Sequence, residues 1–152
     1  MSGSWFESQT LTQRHLQREL AEAHGVLHPG HEVVLIILAL MVDVAQEGSL
    51  WARAEGLADR LLSHLPIVVF EHAPVLTRVY VQRGEARLQL ARAAREGAVP
   101  GEGRSAAALA ELAREDLNRA VASYTLCFGG KDVRVRRACA LLDKIQKTKL
   151  VQ

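Results

Sequence analysis

Apolar residues recur at helical spacing along most of the chain, and this pattern predicts six helices. The predicted helices lie at residues 10–24, 31–47, 50–65, 74–96, 106–128 and 133–148. Only the stretch from Ile67 to Phe70 resembles a strand, and four residues without a partner strand do not make a sheet. Short turns between helices favour antiparallel neighbours. We therefore expect an all-α fold, an antiparallel array of αα-hairpins.

Local signals set the predicted helix boundaries. Residues whose side-chain oxygen can cap a helix stand before or at the start of four of them: Thr10, Ser49, Ser105 and Asp132. Pro74 fits the first turn of the fourth helix, and Pro66 is expected to end the third. Gly129 supplies the left-handed residue with which a helix commonly ends.

The second predicted helix is apolar on every side from Val33 to Ala45, except at Asp43. A helix of this kind needs neighbours on several faces, so we expect it to be the central helix of the fold. A charge introduced at Val33 or at Leu38 is then expected to unfold the protein, because it would enter a helix without a solvated face.

The chain has 152 residues, enough for one domain with one core. We expect a tail over residues 1–9, a single helical domain over 10–148, and a flexible Gly/Pro loop over 97–104 within it. The longest apolar run, Val33 to Val42, is too short to span a bilayer, and the first residues lack the pattern of an export signal. We expect a cytoplasmic protein that does not enter a membrane.

Charge is divided unevenly along the chain. Residues 1–76 carry four Arg, no Lys and nine Asp or Glu, a formal charge of −5. Residues 77–152 carry fifteen basic and eight acidic residues, a formal charge of +7. Such a chain can attract a copy of itself or offer two unlike surfaces to partners, although solvated helix faces explain the same division.

Two predicted hairpins carry small and bulky residues at intervals that pack helices closely. In the later hairpin, Ala113, Leu117 and Ala120 follow Tyr80, the pair Arg83-Gly84, and Arg87. In the earlier hairpin, the corresponding positions hold Leu38, Met41-Val42 and Ala45, followed by Ala54, Ala58, Leu61 and Pro66. These intervals resemble the tetratricopeptide repeat, a helical hairpin of about 34 residues.

The resemblance covers roughly residues 35–66 and 77–125, and it is degenerate. The bulky and small residues are exchanged at Ala58 and Leu61, and Thr125 stands where the family has Pro. Between Arg87 and Ala113 lie 25 residues, about seventeen more than the repeat spacing leaves.

The resemblance implies a groove that binds a peptide or helix of another protein, and it implies neither an enzyme nor a cofactor. The family's carboxylate clamp of Lys, Asn and Arg is not expected, because Leu35 to Ala45 contains none of these residues. An apolar or amphipathic helix is the better partner. Five basic residues are the predicted partner contacts: Arg83, Arg87, Arg136, Arg137 and Lys144.

Nucleic-acid binding is the alternative function. The hairpin over residues 129–149 combines a Gly-Gly turn with basic residues suited to phosphate contacts, among them Arg134, Arg136, Arg137, Lys144, Lys147 and Lys149. The acidic first half of the chain disfavours this alternative. Among the basic residues, Gln146 is the only amide side chain that could recognise a base. A third alternative is a homo-oligomer that buries Trp5-Phe6 or Ile67 to Phe70.

Residue types suited to chemistry are sparse. His24, His28, His31 and Glu32 could ligate zinc, but Gly25 and Pro29-Gly30 interrupt any common helical face, so we interpret the segment as a solvated turn. Cys127 and Cys139 have no second cysteine pair and are expected to be buried, reduced thiols. We find no nucleophile elbow and no phosphate loop, and we expect no metal, cofactor or catalysis.

Overall fold

The computed structural model describes residues 3–97 and 103–148, with side chains from Glu7 onward, and within these ranges it is helical without strands. The helices are α1 (Gly3–His24), α2 (Glu32–Glu47), α3 (Trp51–Val68), α4 (Pro74–Arg95), α5 (Ala106–Phe128) and α6 (Val133–Lys147). The predicted all-α fold class is confirmed.

The chain divides into two compact units, Met1–Val69 and Phe70–Gln152, where the sequence predicted one domain over residues 10–148. The first unit holds α1 to α3, and the second holds α4 to α6. The division falls within the short apolar stretch that resembled a strand. That stretch contains the end of α3 and an irregular connection instead.

In the first unit, α2 packs against both α1 and α3. α1 contributes Leu20 to the core, and α2 and α3 contribute the other buried apolar side chains: Val34, Leu35, Ile37, Leu38, Met41, Val42, Ala45, Ala54, Leu57, Ala58, Leu61 and Leu65. Leu11 of α1 is exposed. The aliphatic contacts of α2 with two neighbours therefore form the core of this unit.

In the second unit, α5 packs against both α4 and α6, whereas α4 and α6 meet at few points. Buried residues lie on most sides of α4, whereas α2 keeps one exposed side in the first unit. The prediction that α2 is covered on every face is therefore wrong. Its apolar residues are numerous enough to surround it, but its two neighbours in this unit leave one face open.

Four predicted boundary signals in the second unit are confirmed. Ser105 Oγ accepts the Ala108 backbone N–H at 3.1 Å, and Asp132 Oδ1 accepts the Arg134 N–H at 2.9 Å. Pro74 is the first residue of α4, and Gly129 ends α5 with a φ of 85°. Each signal depends on a few neighbouring atoms, so the sequence alone is sufficient to predict it.

Two predicted helix starts are wrong. α1 begins at Gly3 rather than at Thr10, so the expected tail is helical from Gly3. Ser49 does not cap α3; it has a φ of 56° and lies in the turn that ends α2, while the Leu50 N–H donates to the Ala45 carbonyl at 2.9 Å. Ser49 thus occupies the left-handed position that glycine more often takes at a helix end.

Pro66 lies inside α3, and the helix continues for two residues beyond it. A proline removes one backbone hydrogen bond, and here that loss falls in the exposed last turn. The prediction that Pro66 ends the helix is therefore wrong by a short distance. The predicted loop over 97–104 has positive φ at Gly97 and Gly103, and its residues 98–102 lie outside the described ranges. None of the helices described is both long and apolar enough to cross a membrane.

Candidate functional site

A buried ionic cluster joins α4 to α5. The Arg83 guanidinium donates to both carboxylate oxygens of Asp116, at 2.9 Å to Oδ2 and 2.7 Å to Oδ1. Arg87 Nη1 donates to Asp116 Oδ2 at 2.8 Å. The Asp116 side chain is 5% exposed, and both arginines are largely buried. The sequence offered Arg83 and Arg87 as partner contacts, but their guanidiniums face α5 and hold two helices of the same unit together.

Tyr80 extends this cluster toward solvent. Its ring lies beneath two guanidiniums, with the Arg83 Cζ 5.6 Å and the Arg119 Cζ 4.8 Å from the ring centroid. Arg119 Nη1 also donates to the Tyr80 hydroxyl at 3.0 Å. Cations attract the face of an aromatic ring, so these contacts add to the α4–α5 interaction.

Gly84 allows α4 and α5 to approach closely beside the cluster. A Cβ atom at this position would lie 2.9 Å from Leu117 Cγ and 3.3 Å from Asp116 Cβ. Such distances are too short for any larger residue without movement of α5. Gly84, Leu117 and their neighbours belong to the intervals that resembled the tetratricopeptide repeat, and here they do pack two helices closely.

Asp116 is the member of the cluster that sequence reasoning missed. It is buried on the same face of α5 as the small and apolar residues Ala113, Leu117 and Ala120. A single carboxylate on an apolar helix face needs a buried cation, and this was the available signal. The partner arginines lie 29 and 33 residues earlier, so no local pattern identifies them.

The exposed side of α2 is an apolar surface in the first unit. Val33, Ile36 and Leu40 are 45%, 52% and 47% exposed, and their spacing places them on one face. We call these three residues the α2 stripe. It extends for about 10 Å along the helix. Aliphatic side chains left in contact with water on one face are typical of a surface that another molecule covers.

The end of α1 and the turn that follows it hold three histidines, each of which accepts a hydrogen bond. Arg60 Nη2 lies 3.0 Å from His24 Nε2, and since a guanidinium only donates, the imidazole accepts. His28 Nδ1 accepts the Gly30 N–H at 3.0 Å, and His31 Nδ1 accepts the Val33 N–H at 3.2 Å. These histidines order the turn and begin α2. In the described ranges, no group of three or more side chains is placed to hold a metal ion.

His31 is the N-cap of α2, a role that the sequence did not assign to it. We expect His31→Ala to lower the free energy of unfolding by about 1 kcal/mol, because the Val33 N–H loses its acceptor. His31→Asn keeps a side-chain acceptor at the cap and should match the wild type. Urea denaturation followed by circular dichroism measures both, with His15→Ala on exposed α1 as the control. Equal stability of the Ala and Asn variants would contradict the cap.

The remaining predicted contacts lie on the exposed side of α6. Arg136, Arg137 and Lys144 are all exposed. The Arg137 Nη2 atom is 3.4 Å from Glu85 Oε2 of α4. Arg134, on the same helix, contacts Asp132 at 3.3 Å and has its Cζ 4.1 Å from the centroid of the Phe128 ring. The structure thus brings Arg136, Arg137 and Lys144 to one helix, apart from the Arg83–Arg87 cluster.

The expected buried thiols differ from each other. Cys139 is half-buried and Cys127 is exposed, and both are free. Cys127 Sγ lies 3.2 Å from the His72 carbonyl oxygen, and the His72 Nδ1 atom lies 3.0 Å from the buried Ser123 hydroxyl. These contacts attach the segment before α4 to α5. Burial also raises the pKa of the nearby Tyr124 hydroxyl, an effect that Arg134 opposes.

The fold and these surfaces define an all-α protein of two three-helix units with an ionic cluster inside one and an apolar stripe on the other. Comparisons of the chain with protein-family profiles, with curated proteins and with solved structures gave no match.

Proposed function

We propose that this protein is an adaptor that binds an amphipathic helix of another protein on the α2 stripe. The exposure of Val33, Ile36 and Leu40 on one face of α2 is the observation that carries the proposal. An apolar helix face recognises a partner whose own apolar residues recur at helical spacing. Burial of these half-exposed side chains then supplies the driving force for association.

The charge around the stripe indicates the chemistry of the partner. α2 carries Glu32, Asp43 and Glu47 and no basic residue. Residues 1–69 carry four Arg, no Lys and eight Asp or Glu, a formal charge of −4. A partner helix with Lys or Arg beside its apolar residues is therefore complementary in charge as well as in polarity.

The same charges disfavour a second copy of α2 as the occupant. In an antiparallel pair, Glu32 of one copy would approach Asp43 and Glu47 of the other, and a parallel pair would align like charges. Both arrangements place carboxylates together at the edge of an apolar contact, which costs free energy. A basic helix from a different protein has no such cost.

The finer architecture proposed for this adaptor is a degenerate tetratricopeptide-like array. The close α4–α5 packing at Gly84 and Leu117 supports it, because the family spacing serves the same purpose. Nucleic-acid binding through residues 129–149 has less support. Arg134 and Arg137 on that hairpin already contact carboxylates, and Lys149 lies outside the described residues.

A designed peptide tests the proposal. The probe is a labelled synthetic helix with a Leu/Ala face and Lys flanks, and its control has the same apolar face with Glu flanks. We expect the full-length protein to bind the Lys-flanked helix more tightly in fluorescence anisotropy. Ile36→Glu should weaken that binding roughly tenfold, equivalent to about 1.4 kcal/mol of lost apolar burial and added charge. Leu11→Glu, at an exposed apolar position of α1, should leave binding unchanged.

Other outcomes would contradict the proposal. Equal binding of the two peptides, or an unchanged affinity after Ile36→Glu, would remove the stripe as the docking surface. A wild-type dimer in light scattering that Ile36→Glu converts to a monomer would make a second copy the occupant. Because Ile36 is half-exposed, the variant is expected to keep the wild-type circular dichroism spectrum.

A further inference from the structure

A pocket in the first unit lies between the end of α1, the α1–α2 turn and α3. It has a volume of about 230 Å³ and is lined by six residues: His24, Pro29, Leu38, Arg60, Ser63 and His64. This space is many times what a single water molecule requires. The lining combines one guanidinium and two imidazoles with an apolar wall and contains no carboxylate.

Arg60 has an unusual partner in this pocket. Its Nη2 atom donates to His24 Nε2 at 3.0 Å, and among the described residues no carboxylate lies within ion-pair distance of its guanidinium. A neutral imidazole satisfies one N–H but does not balance the positive charge. A guanidinium has five N–H donors in a planar fork, so most of its capacity to bind an anion remains.

The imidazoles enlarge the set of donors. His64 lines the pocket beside Arg60, and its ring meets the edge of the His28 ring with centroids 6.4 Å apart. An imidazole can offer an N–H from either nitrogen, and it gains a positive charge when both are protonated. Arg60 and His64 of α3 thus place donors of two kinds around one space, and His24 of α1 accepts from the guanidinium at its edge.

We propose that this pocket binds the phosphate group of a small anionic ligand. Arg60 supplies the charge and the paired donors that match two phosphate oxygens, and the imidazole of His64 donates to another, while His24 Nε2 accepts from the guanidinium and holds it in place. A phosphate uses donors arriving from several directions better than a carboxylate, which has only two oxygens. The buried Leu38 forms an apolar wall on one side of the anion and so strengthens these hydrogen bonds.

The overall charge of this unit means that an anion must be held by the donors of the pocket itself. The first unit is acidic, with a formal charge of −4 over residues 1–69, so its general field repels anions. Phosphate binding would therefore depend on the local donors of the pocket. The pocket is also separate from the α2 stripe, because Leu38, its contribution from α2, is buried while the stripe is exposed.

Isothermal titration calorimetry of the full-length protein with inorganic phosphate tests the proposal, with acetate at matched ionic strength as the carboxylate probe. We expect saturable phosphate binding that is tighter than acetate binding. Arg60→Gln should weaken it tenfold or more, roughly the effect of losing a charge-assisted hydrogen bond. His64→Gln should weaken it less, and Arg18→Gln on exposed α1 should have no effect.

Three results with these probes and variants would overturn the site, and a fourth follows from an additional variant. These are the absence of saturable phosphate binding, equal binding of acetate, and an equal loss in Arg18→Gln and Arg60→Gln. Arg60→Lys protects the test against a folding defect, because it keeps the charge and removes the fork. It should keep the wild-type melting curve and bind phosphate with intermediate affinity. Affinity equal to the wild type in both Arg60 variants would also overturn the proposal.

Discussion

Replacing Asp116 with Ala is expected to lower the free energy of unfolding by about 3 to 5 kcal/mol. The carboxylate is 5% exposed and accepts hydrogen bonds from Arg83 and Arg87. Its removal leaves two largely buried guanidiniums without the anion that they share. The desolvation cost of those cations is then no longer offset, and this cost exceeds the apparent strength of the ion pairs themselves.

Two further variants distinguish the free-energy cost of burying two guanidiniums without Asp116 from the cost of lost packing. Asp143→Ala removes an exposed carboxylate from α6 and should change stability by no more than about 0.5 kcal/mol. The triple variant Arg83→Met, Arg87→Met and Asp116→Leu removes all three charges of the cluster. It should therefore recover most of the stability that Asp116→Ala loses. Urea denaturation measures each free energy. An Asp116→Ala variant as stable as Asp143→Ala would show that the cluster does not stabilise the α4–α5 contact.

Leu38→Asp is expected to cost about 5 kcal/mol or more, sufficient to unfold the first unit. Leu38 is 2% exposed at the centre of the α1–α3 core. The substitution removes a large buried aliphatic group and brings a carboxylate among the aliphatic side chains of the core. Circular dichroism should show the loss of helix at the temperature at which the wild type is folded.

Val33→Asp is the matched control on the same helix, and we expect it to change stability by less than about 1 kcal/mol. Val33 is 45% exposed, so the carboxylate reaches water. It also lies in the first turn of α2, where the helix dipole favours a negative charge. The sequence predicted unfolding at both positions, and similar losses of stability in the two variants would show that both faces of α2 are covered in solution.

Much of the fold was predictable because its signals are local. Ser105, Asp132 and Pro74 act on the backbone of the next few residues, and their effects appear at the expected positions. The predicted cap at Ser49 is wrong for a related reason, since a short polar residue between two helices can either cap the second helix or end the first. The choice depended on the turn that joins α2 to α3.

The candidate sites were less predictable because burial depends on neighbours. The composition of α2 indicated a helix that is apolar all round, but it did not indicate which face α1 and α3 would leave open. The pocket also joins residues that are distant along the chain, since His24 meets Arg60 across 36 positions. The pocket has no periodic sequence signature, and the helical spacing of the stripe does not reveal whether its face is buried or exposed.

The sequence by itself determined the all-α class, most helix boundaries and the uneven division of charge, since each follows from spacing or composition. Only the tertiary structure decided that Arg83 and Arg87 share Asp116 and which face of α2 stays exposed. The physical reason is that helix formation is governed by residues within a turn or two of one another. Burial and ion pairing depend instead on which helices pack together, and that is a property of the whole unit.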